Sequence, residues 1–395
     1  MGETSRLEAE WMARADLAAL VAALGAGNVR WVGGAVRDTL LGHPVKDIDA
    51  ASPLTPDEVM ARLTAAGIRH VPTGLDHGTV TAVLPGGPVE ITTLRKDVST
   101  DGRRATVAFS DDWREDAARR DFTINALYAD PHTGEIFDWF DGLADLEARR
   151  VRFIGDARER IREDHLRILR YYRFHARFGA TIDKEAEKAC VELAPMLKGL
   201  SRERVGWELL ALLALPDPVD TVRRMHESGV LDVVLPEAAG QATSALAALV
   251  QAENAAGIEP SAIRRLAALL PAAPRHAEPV AARLRLSAAQ KKRLTTAAER
   301  SAAPGDPRAL AYRLGREAAL DRLLLAGGDT APLDGWEIPV LPLKGGEIVA
   351  RGVAAGPEVA RILRAVEDRW IAEGFPPRAR VEALLEEELK RGSPS

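Results

Sequence analysis

Cysteine is almost missing. Cys190 is the single one among 395 residues, so no internal disulfide can form, and a reducing, cytoplasmic compartment is the simple expectation. Long apolar runs are missing too. No stretch supplies the roughly 20 apolar residues that a bilayer-crossing helix needs, so no membrane partner is expected. The N-terminal MGETSRLEAEWMARADLAAL is charged and amphipathic. It has no apolar core before a cleavage site, which argues against a signal peptide. Positive charge is not in excess either. Lys and Arg number 53 against 58 Asp and Glu, a formal net charge of −5, which on its face argues against a nucleic-acid partner. No clear repeat period and no His-Asp phosphohydrolase signature are present.

The average charge hides a gradient. Ten arginines (149, 150, 152, 158, 160, 162, 167, 170, 173 and 177) fall within a short segment opposed only by Asp156, Glu159, Glu163 and Asp164. That segment could hold phosphates while the rest of the chain stays acidic. Length alone predicts two to four compact units. Hydrophobic content of 46% and charged content of 28% suit a globular protein.

Over the first hundred or so residues, helix and strand signals alternate. Leu7, Trp11, Leu17, Leu20, Val21 and Leu24 form one helical stripe that ends at Gly25 and Gly27. NVRWVGG reads as a strand running into a glycine turn, AVRDTLLG as a helix, and KDIDAAS as a second strand. Thr55-Pro56-Asp57-Glu58 is a helix start with a capping box. TVTAVL and PVEITTL flank Gly86-Gly87 and predict a hairpin. Val89 and Ile91 would face its core, and Glu90 the other side. From Arg95 to Arg120 the chain reads as polar and irregular, and a loop this long is usually functional or disordered. DFTINALYAD and GEIFDWFDG return to strand and turn signals. From Leu143 onward the signals are helical, broken at Pro216, Pro218, Pro236, Pro271, Pro304 and Pro332. The plan is an α/β catalytic head followed by a long helical body.

Three constellations carry chemistry. In the first, Gly33-Gly34 and Arg37-Asp38 precede Asp47 and Asp49. Two aspartates one residue apart on a strand share a face, and carboxylates that close repel unless a divalent cation sits between them. Mg²⁺ takes one or two carboxylates plus substrate phosphates. Paired glycines let backbone N–H groups approach phosphate oxygens. Either half alone is more often a solvated turn; the ordered series is far more specific. Glu90 is a candidate third acid, or simply an exposed strand glutamate.

In the second, Arg120, Asp121 and Asn125 suit a nucleotide, arginine for phosphate and Asp and Asn for ribose hydroxyls. The bland alternative is a capped helix start. The third is Glu163, Asp164 and Arg167, read as opening a helix that runs to Phe178, with Arg167, Arg170, Arg173 and Arg177 along a basic stripe. Asp164 and Arg167, three apart, would share a face. One carboxylate and one guanidinium could accept both cytosine and adenine, each of which presents an amine beside an acceptor, and reject uracil and guanine. The bland alternative is a surface ion pair.

The segments WVGGAVRDTLLG, DIDAAS, VEITTLRKD, RRDFTINALYAD, DGLADLEARRVRFIG and REDHLRILRYYRFHARFG run in order from Val29 to Gly179. They resemble the motifs of the bacterial (class II) CCA-adding tRNA nucleotidyltransferase and poly(A) polymerase family. PLKGGEIVARGVAAGPEVARILRAVEDRWIAEGF also resembles that family's C-terminal helices. The resemblance implies an α+β fold with a polymerase-β-like nucleotidyltransferase head (1–140) carrying a small mixed sheet, then an all-helical neck (141–215), body and tail (216–395), seahorse-like in outline. It implies Mg²⁺ on Asp47 and Asp49, with Glu90 as the further catalytic acid. Gly33, Gly34, Arg37, Asp38, Arg120, Asp121, Asn125, Glu163, Asp164, Arg167 and Arg170 would bind nucleotide, and Asp141, Gly142 and Asp145 would form a hinge. It implies tRNA, CTP and ATP as partners, and addition of CCA to tRNA 3′ ends. It gives no sign of a protein partner. An acidic C-terminus, VEALLEEELKRGSPS, favours the tRNA enzyme over a poly(A) polymerase. A full-length flexible loop at Lys96–Arg119 favours complete CCA addition over CC addition. The competing readings are an enzyme that adds only A or a poly(A) tail, and a non-catalytic RNA-binding protein on the same scaffold.

Overall fold

Apolar side chains at every second position of β4 (Thr79–Leu84) and β5 (Gly87–Thr93) face the core beneath the sheet. Val80, Ala82, Val89 and Ile91 are buried, and the two strands pair antiparallel as the hairpin pattern predicts. The computed structural model describes residues 6–75, 78–100, 105–178, 181–238, 240, 242–300 and 305–392. Around the hairpin lie β1 (Arg30–Val32), β2 (Ile48–Ser52), β3 (His70–Gly74), β8 (Tyr128–Ala129) and β9 (Ile136–Phe137). The strand order is β3-β4-β5-β2-β1-β8-β9. Only β2 and β5 run parallel, which makes the sheet mixed.

Helices α1 (Ala15–Leu24), α2 (Gly34–Leu40) and α3 (Pro56–Ala65) interleave with the first strands. Thr55 caps α3 by accepting from the Glu58 N–H, and Glu58 accepts in return from the Thr55 N–H at 2.8 Å. The single N-terminal helical stripe expected from the sequence is two pieces. A 3₁₀ turn at Glu10–Ala13 is separated from α1 by Arg14 in extended conformation. Arg14 there reaches Asp16 at 2.8 Å, a contact that competes with helix continuation.

The irregular stretch expected at Arg95–Arg120 is structured on both sides of residues 101–104, which lie outside the described residues. β6 (Arg95–Thr100) and β7 (Ala105–Phe109) form an antiparallel pair, and α4 (Trp113–Ala118) follows, capped by Asp112. A strand rich in Arg, Asp, Ser and Thr is hard to read because its pairing, more than its propensity, makes it a strand.

Beyond β9 the unit turns helical: α5 (Gly142–Glu147), α6 (Ala157–Glu163), α7 (Arg167–Phe178), α8 (Lys184–Leu193), α9 (Arg202–Leu213), α10 (Val219–Glu227) and α11 (Val230–Val234). The single helix expected from Glu163 to Phe178 does not form. α6 ends at Glu163, Asp164 is extended (φ −148°, ψ 104°), and α7 begins at Arg167. The Asp164 carboxylate accepts from the Leu166 N–H at 3.1 Å, the kind of local bond by which aspartate interrupts a helix.

By its internal packing the chain divides into Met1–Pro236, described above, and Glu237–Ser395. The second unit is all helix among its described residues. It begins with α12 (Ala242–Ala255) and α13 (Ala262–Leu269), and ends with α19 (Pro357–Ala372) and α20 (Arg378–Gly392) after six shorter elements. Ile362, Val366, Trp370, Val381 and Leu384 are at one core of it. Elsewhere in it Glu253 takes both Arg264 at 3.0 Å and Arg265 at 2.8 Å out of solvent. No described helix is long and apolar enough to cross a membrane.

Candidate active site

The parallel pairing of β2 with β5 puts Asp49 directly opposite Glu90. Antiparallel pairing with β1 sets Val32, the residue before Gly33-Gly34, opposite Asp49. Three sequence-distant features therefore meet on adjacent strands in the middle of the sheet. Gly33 has φ +68°, a left-handed conformation that favours glycine, and it is the N-cap of α2. A Cβ there would sit 3.6 Å from the Arg120 guanidinium, so its conformation, more than crowding, demands glycine.

These residues open on a cleft of about 410 Å³. It gathers Gly33, Gly34, Arg37, Asp49, Glu90, Arg120, Asp121, Asn125, Asp164, Arg167 and Arg170. Asp38 and Glu163 stand just behind it. Asp38 pairs with Arg37 at 2.8 Å and with Arg177 at 2.7 Å, and Glu163 accepts from Arg167 at 2.6 Å. Asp47 is the exception. It precedes β2, is exposed and does not line the cleft. Strand pairing starts at Ile48, so Asp47 stands just before the strand that carries Asp49, and its charge still acts on that carboxyl.

Carboxylates accumulate here. Burial, then the charge of Glu90 and, more weakly, of Asp47, push the Asp49 carboxyl up to about 6 against the opposing pull of Arg120 and Arg37. A divalent cation would relieve that repulsion. The donors are hard oxygens, suited to an ion that takes one or two carboxylates plus phosphates. Among the described residues no three His, Cys, Asp or Glu side chains close into a metal cage. The residues fit such an ion only together with substrate oxygens.

The opposite wall is a chain of hydrogen bonds. Asn125 accepts from Arg37 and donates to Asp121 at 2.9 Å. The Phe122 N–H donates to the same Asp121 oxygen at 2.8 Å, and Arg170 reaches the other at 2.6 Å. Burial works against the Asp121 charge, yet Arg170 and Asn125 hold its carboxyl below the usual range. Burial also lowers the Arg37 guanidinium. Arg37 faces the Phe174 and Phe178 rings at 5.1 and 5.2 Å. Arg120 donates to the Tyr128 hydroxyl at 2.8 Å and pairs with Asp116 at 3.1 Å.

The Asp164–Arg167 pair expected on one helix face does not form. Arg167 donates instead to Glu163, to the Arg160 carbonyl at 2.8 Å and to the Arg119 carbonyl at 3.1 Å. Asp164 pairs with Arg204 of α9 at 2.7 Å. Both still line the cleft, from a helix break instead of a helix face. The break frees the Asp164 side chain from the α7 surface.

The fold brings the ten-arginine segment more acids than the four within it. Eight of its members, Arg150, Arg152, Arg158, Arg160, Arg167, Arg170, Arg173 and Arg177, hold acidic partners. Sequence reading missed Asp116 and Tyr128 behind Arg120, Arg204 behind Asp164, and Glu208, which is 1% exposed and accepts from Arg173 at 2.6 Å. Asp116 and Arg120 are four apart at the end of α4, a spacing that could have been found; the others are long-range and carry no local signal.

The comparisons converge on one class, the nucleotidyltransferase heads. A family model described as Poly A polymerase head domain matches residues 29–152, and one described as Probable RNA and SrmB- binding site of polymerase A matches 179–241. CCA tRNA nucleotidyltransferase 1, mitochondrial, is 34% identical over 370 residues in Mus musculus, covering 88% of this chain and 84% of the relative. The Homo sapiens protein of that name is 35% identical with the same coverage. The structure of the Bacillus stearothermophilus CCA-adding enzyme in complex with CTP superposes with a TM-score of 0.72 at 26% identity, covering 95% of this chain and 98% of that one. The chain belongs to the CCA-adding tRNA nucleotidyltransferase family.

Proposed function

We propose that this chain adds CCA to the 3′ end of tRNA without a nucleic-acid template, taking CTP and then ATP and releasing pyrophosphate. The observation that carries the reading is the cleft itself. It joins the Gly33-Gly34 turn, the Asp49–Glu90 carboxylates and the Asp164/Arg167 break, three motifs drawn from separate parts of the chain. In this reading residues 1–140 are the catalytic head, 141–215 the nucleotide-selecting neck, and 216–395 the body and tail that hold tRNA. Asp141, Gly142 and Asp145 are the hinge. The compartment is the cytoplasm, in keeping with one buried thiol.

Asp49, with Asp47 just before its strand, would hold the divalent cation, Mg²⁺, which when bound lowers the cost of a hydroxyl nucleophile and a pyrophosphate leaving group, and Glu90 would be the further catalytic acid. The chain's own residues do the rest. Gly33 and Gly34 leave room for the triphosphate, with Arg37 and Arg120 as its counter-charges. Asn125, held by Arg37 and Asp121, presents its amide to the ribose. Glu163 and two backbone carbonyls fix the Arg167 guanidinium, so its donors meet the base in one geometry. Arg204 does the same for Asp164. The bond that forms joins the RNA 3′ oxygen to the α-phosphorus, and the bond that breaks is the α–β phosphoanhydride.

The test is incubation with tRNA lacking CCA, Mg²⁺ and single nucleotides. Incorporation of C, then A, then arrest supports the reading. Long A tails would make it a poly(A) polymerase, and no incorporation a non-catalytic RNA binder.

A further inference from the structure

A second cavity, of about 90 Å³, lies in the first unit. Its floor is apolar, with Leu41, Ile124, Leu146 and Phe178. Its rim carries Arg149, Arg150, Arg177 and His43, and Asp145 is the one acid. Three arginines against one aspartate leave a formal excess of two positive charges with His43 neutral. Asp145 is fully buried, and it is already engaged by the Thr123 hydroxyl at 2.6 Å and by Arg152 at 2.8 Å as well as by Arg150. Asp38, which neutralises Arg177, is shared with Arg37. The cationic excess is therefore not cancelled from behind.

Arg149 is the group without a partner. It is exposed, and no hydrogen bond or ion pair of its guanidinium occurs among the described residues. Its backbone is left-handed (φ +49°) where α5 ends. The Arg149 N–H bonds to the Leu146 carbonyl at 3.1 Å and the Arg150 N–H to the Asp145 carbonyl at 2.8 Å, the paired bonds of a helix end that favours glycine. Arg285 ends a helix in the same way (φ +55°) and lines no described cavity, so the conformation alone proves nothing. What sets Arg149 apart is that its unpaired charge sits over a cavity with two further arginines.

We infer that this cavity is a second anion site, taking a phosphate group, with Arg149 as its free cation. The RNA strand is the expected source, an inference that rests on the RNA reading of the cleft. The two cavities are neighbours through one carboxylate: Asp38 bonds Arg37, which lines the cleft, and Arg177, which lines this cavity. A strand whose 3′ end enters the cleft would lay a backbone phosphate nearby. Released pyrophosphate is the other source with the same chemistry.

The test is Arg149→Gly in the full chain. Glycine suits φ +49°, so the fold is kept and the melting temperature holds or rises. The expected result is a five- to tenfold weaker Kd for tRNA lacking CCA (roughly one phosphate contact), and a log Kd against log salt slope smaller by about one unit. Arg149→Lys, which keeps the charge, should restore most of both. Wild-type affinity and slope in Arg149→Gly, with unchanged pyrophosphate inhibition, would overturn the site. Unchanged tRNA affinity with weakened pyrophosphate inhibition would overturn the RNA assignment and give the site to the leaving group. Incorporation of C by the wild-type chain is measured first, so a failure of the proposed function is seen separately.

Discussion

Asp49 shows how a single residue trades stability for chemistry. Its carboxyl stands at about 6 because burial and the Glu90 charge disfavour ionisation. The folded pKa lies above the unfolded value of about 3.9, so the folded, metal-free protein binds the extra proton. Its stability falls as pH rises through 4 to 6, and the loss is complete above 6. Asp49→Asn should then stabilise the metal-free protein at pH 8 by about 1–3 kcal/mol and remove both C and A transfer. Denaturant melts paired with incorporation assays measure both, and a destabilised variant would contradict this origin of the shift. The same site should release a proton when a divalent cation binds below pH 6. Apparent affinity would fall about tenfold per pH unit there. Calorimetry in two buffers of different ionisation heat reads the proton directly. Arg167 makes a different prediction. Its loss should cut selection of CTP and ATP over UTP and GTP by about 10- to 100-fold, about 1–3 kcal/mol, with Mg²⁺ dependence unaltered. Steady-state kinetics with all four nucleotides checks this; wild-type selectivity would leave Arg167 as a structural brace between Glu163 and the Arg119 carbonyl. These residue identities were readable because each motif is short and local. Their partners, Arg204, Glu208 and Tyr128, were not, because the fold alone brings them near.

Elements were legible where a local rule dominates. The capping box at Thr55, the Gly86-Gly87 hairpin and the mainly helical character after Leu143 form as the sequence reads. Elements failed where one residue overrides a periodic pattern. Arg14 splits the first stripe, and Asp164 splits the helix expected to run to Phe178. The β6–β7 pair failed for a third reason: polar β6 is a strand because it pairs with β7, not because of its composition. The contact of α5 with the turn at Thr123–Asn125 gives an element-scale test. A Cβ on Gly142 would lie 2.4 Å from the Thr123 carbonyl oxygen, a backbone atom that cannot step aside cheaply. Gly142→Ala should cost about 1–3 kcal/mol by forced backbone movement. A thermal melt with no shift would show that the two segments can slide apart freely.

At the scale of the molecule, charge is the property that sequence reading weighed least well. The net charge of −5 conceals the cationic segment, and that segment in turn conceals its ion pairs. Binding of tRNA should depend on salt, with a slope well short of one unit per arginine, since most of these side chains are already spent on carboxylates. A flat titration between 50 and 200 mM salt, about the range over which phosphate contacts are read, would mean they serve internal pairs alone. The central claim is that one cleft takes both CTP and ATP and then stops. The most direct measurement is nucleotide-by-nucleotide extension of a tRNA lacking CCA, read at single-nucleotide resolution. The expected result is two C additions with CTP alone, one A after ATP is supplied, and no further growth. Extension by A alone onto the unextended tRNA, or growth beyond the third nucleotide, would contradict it.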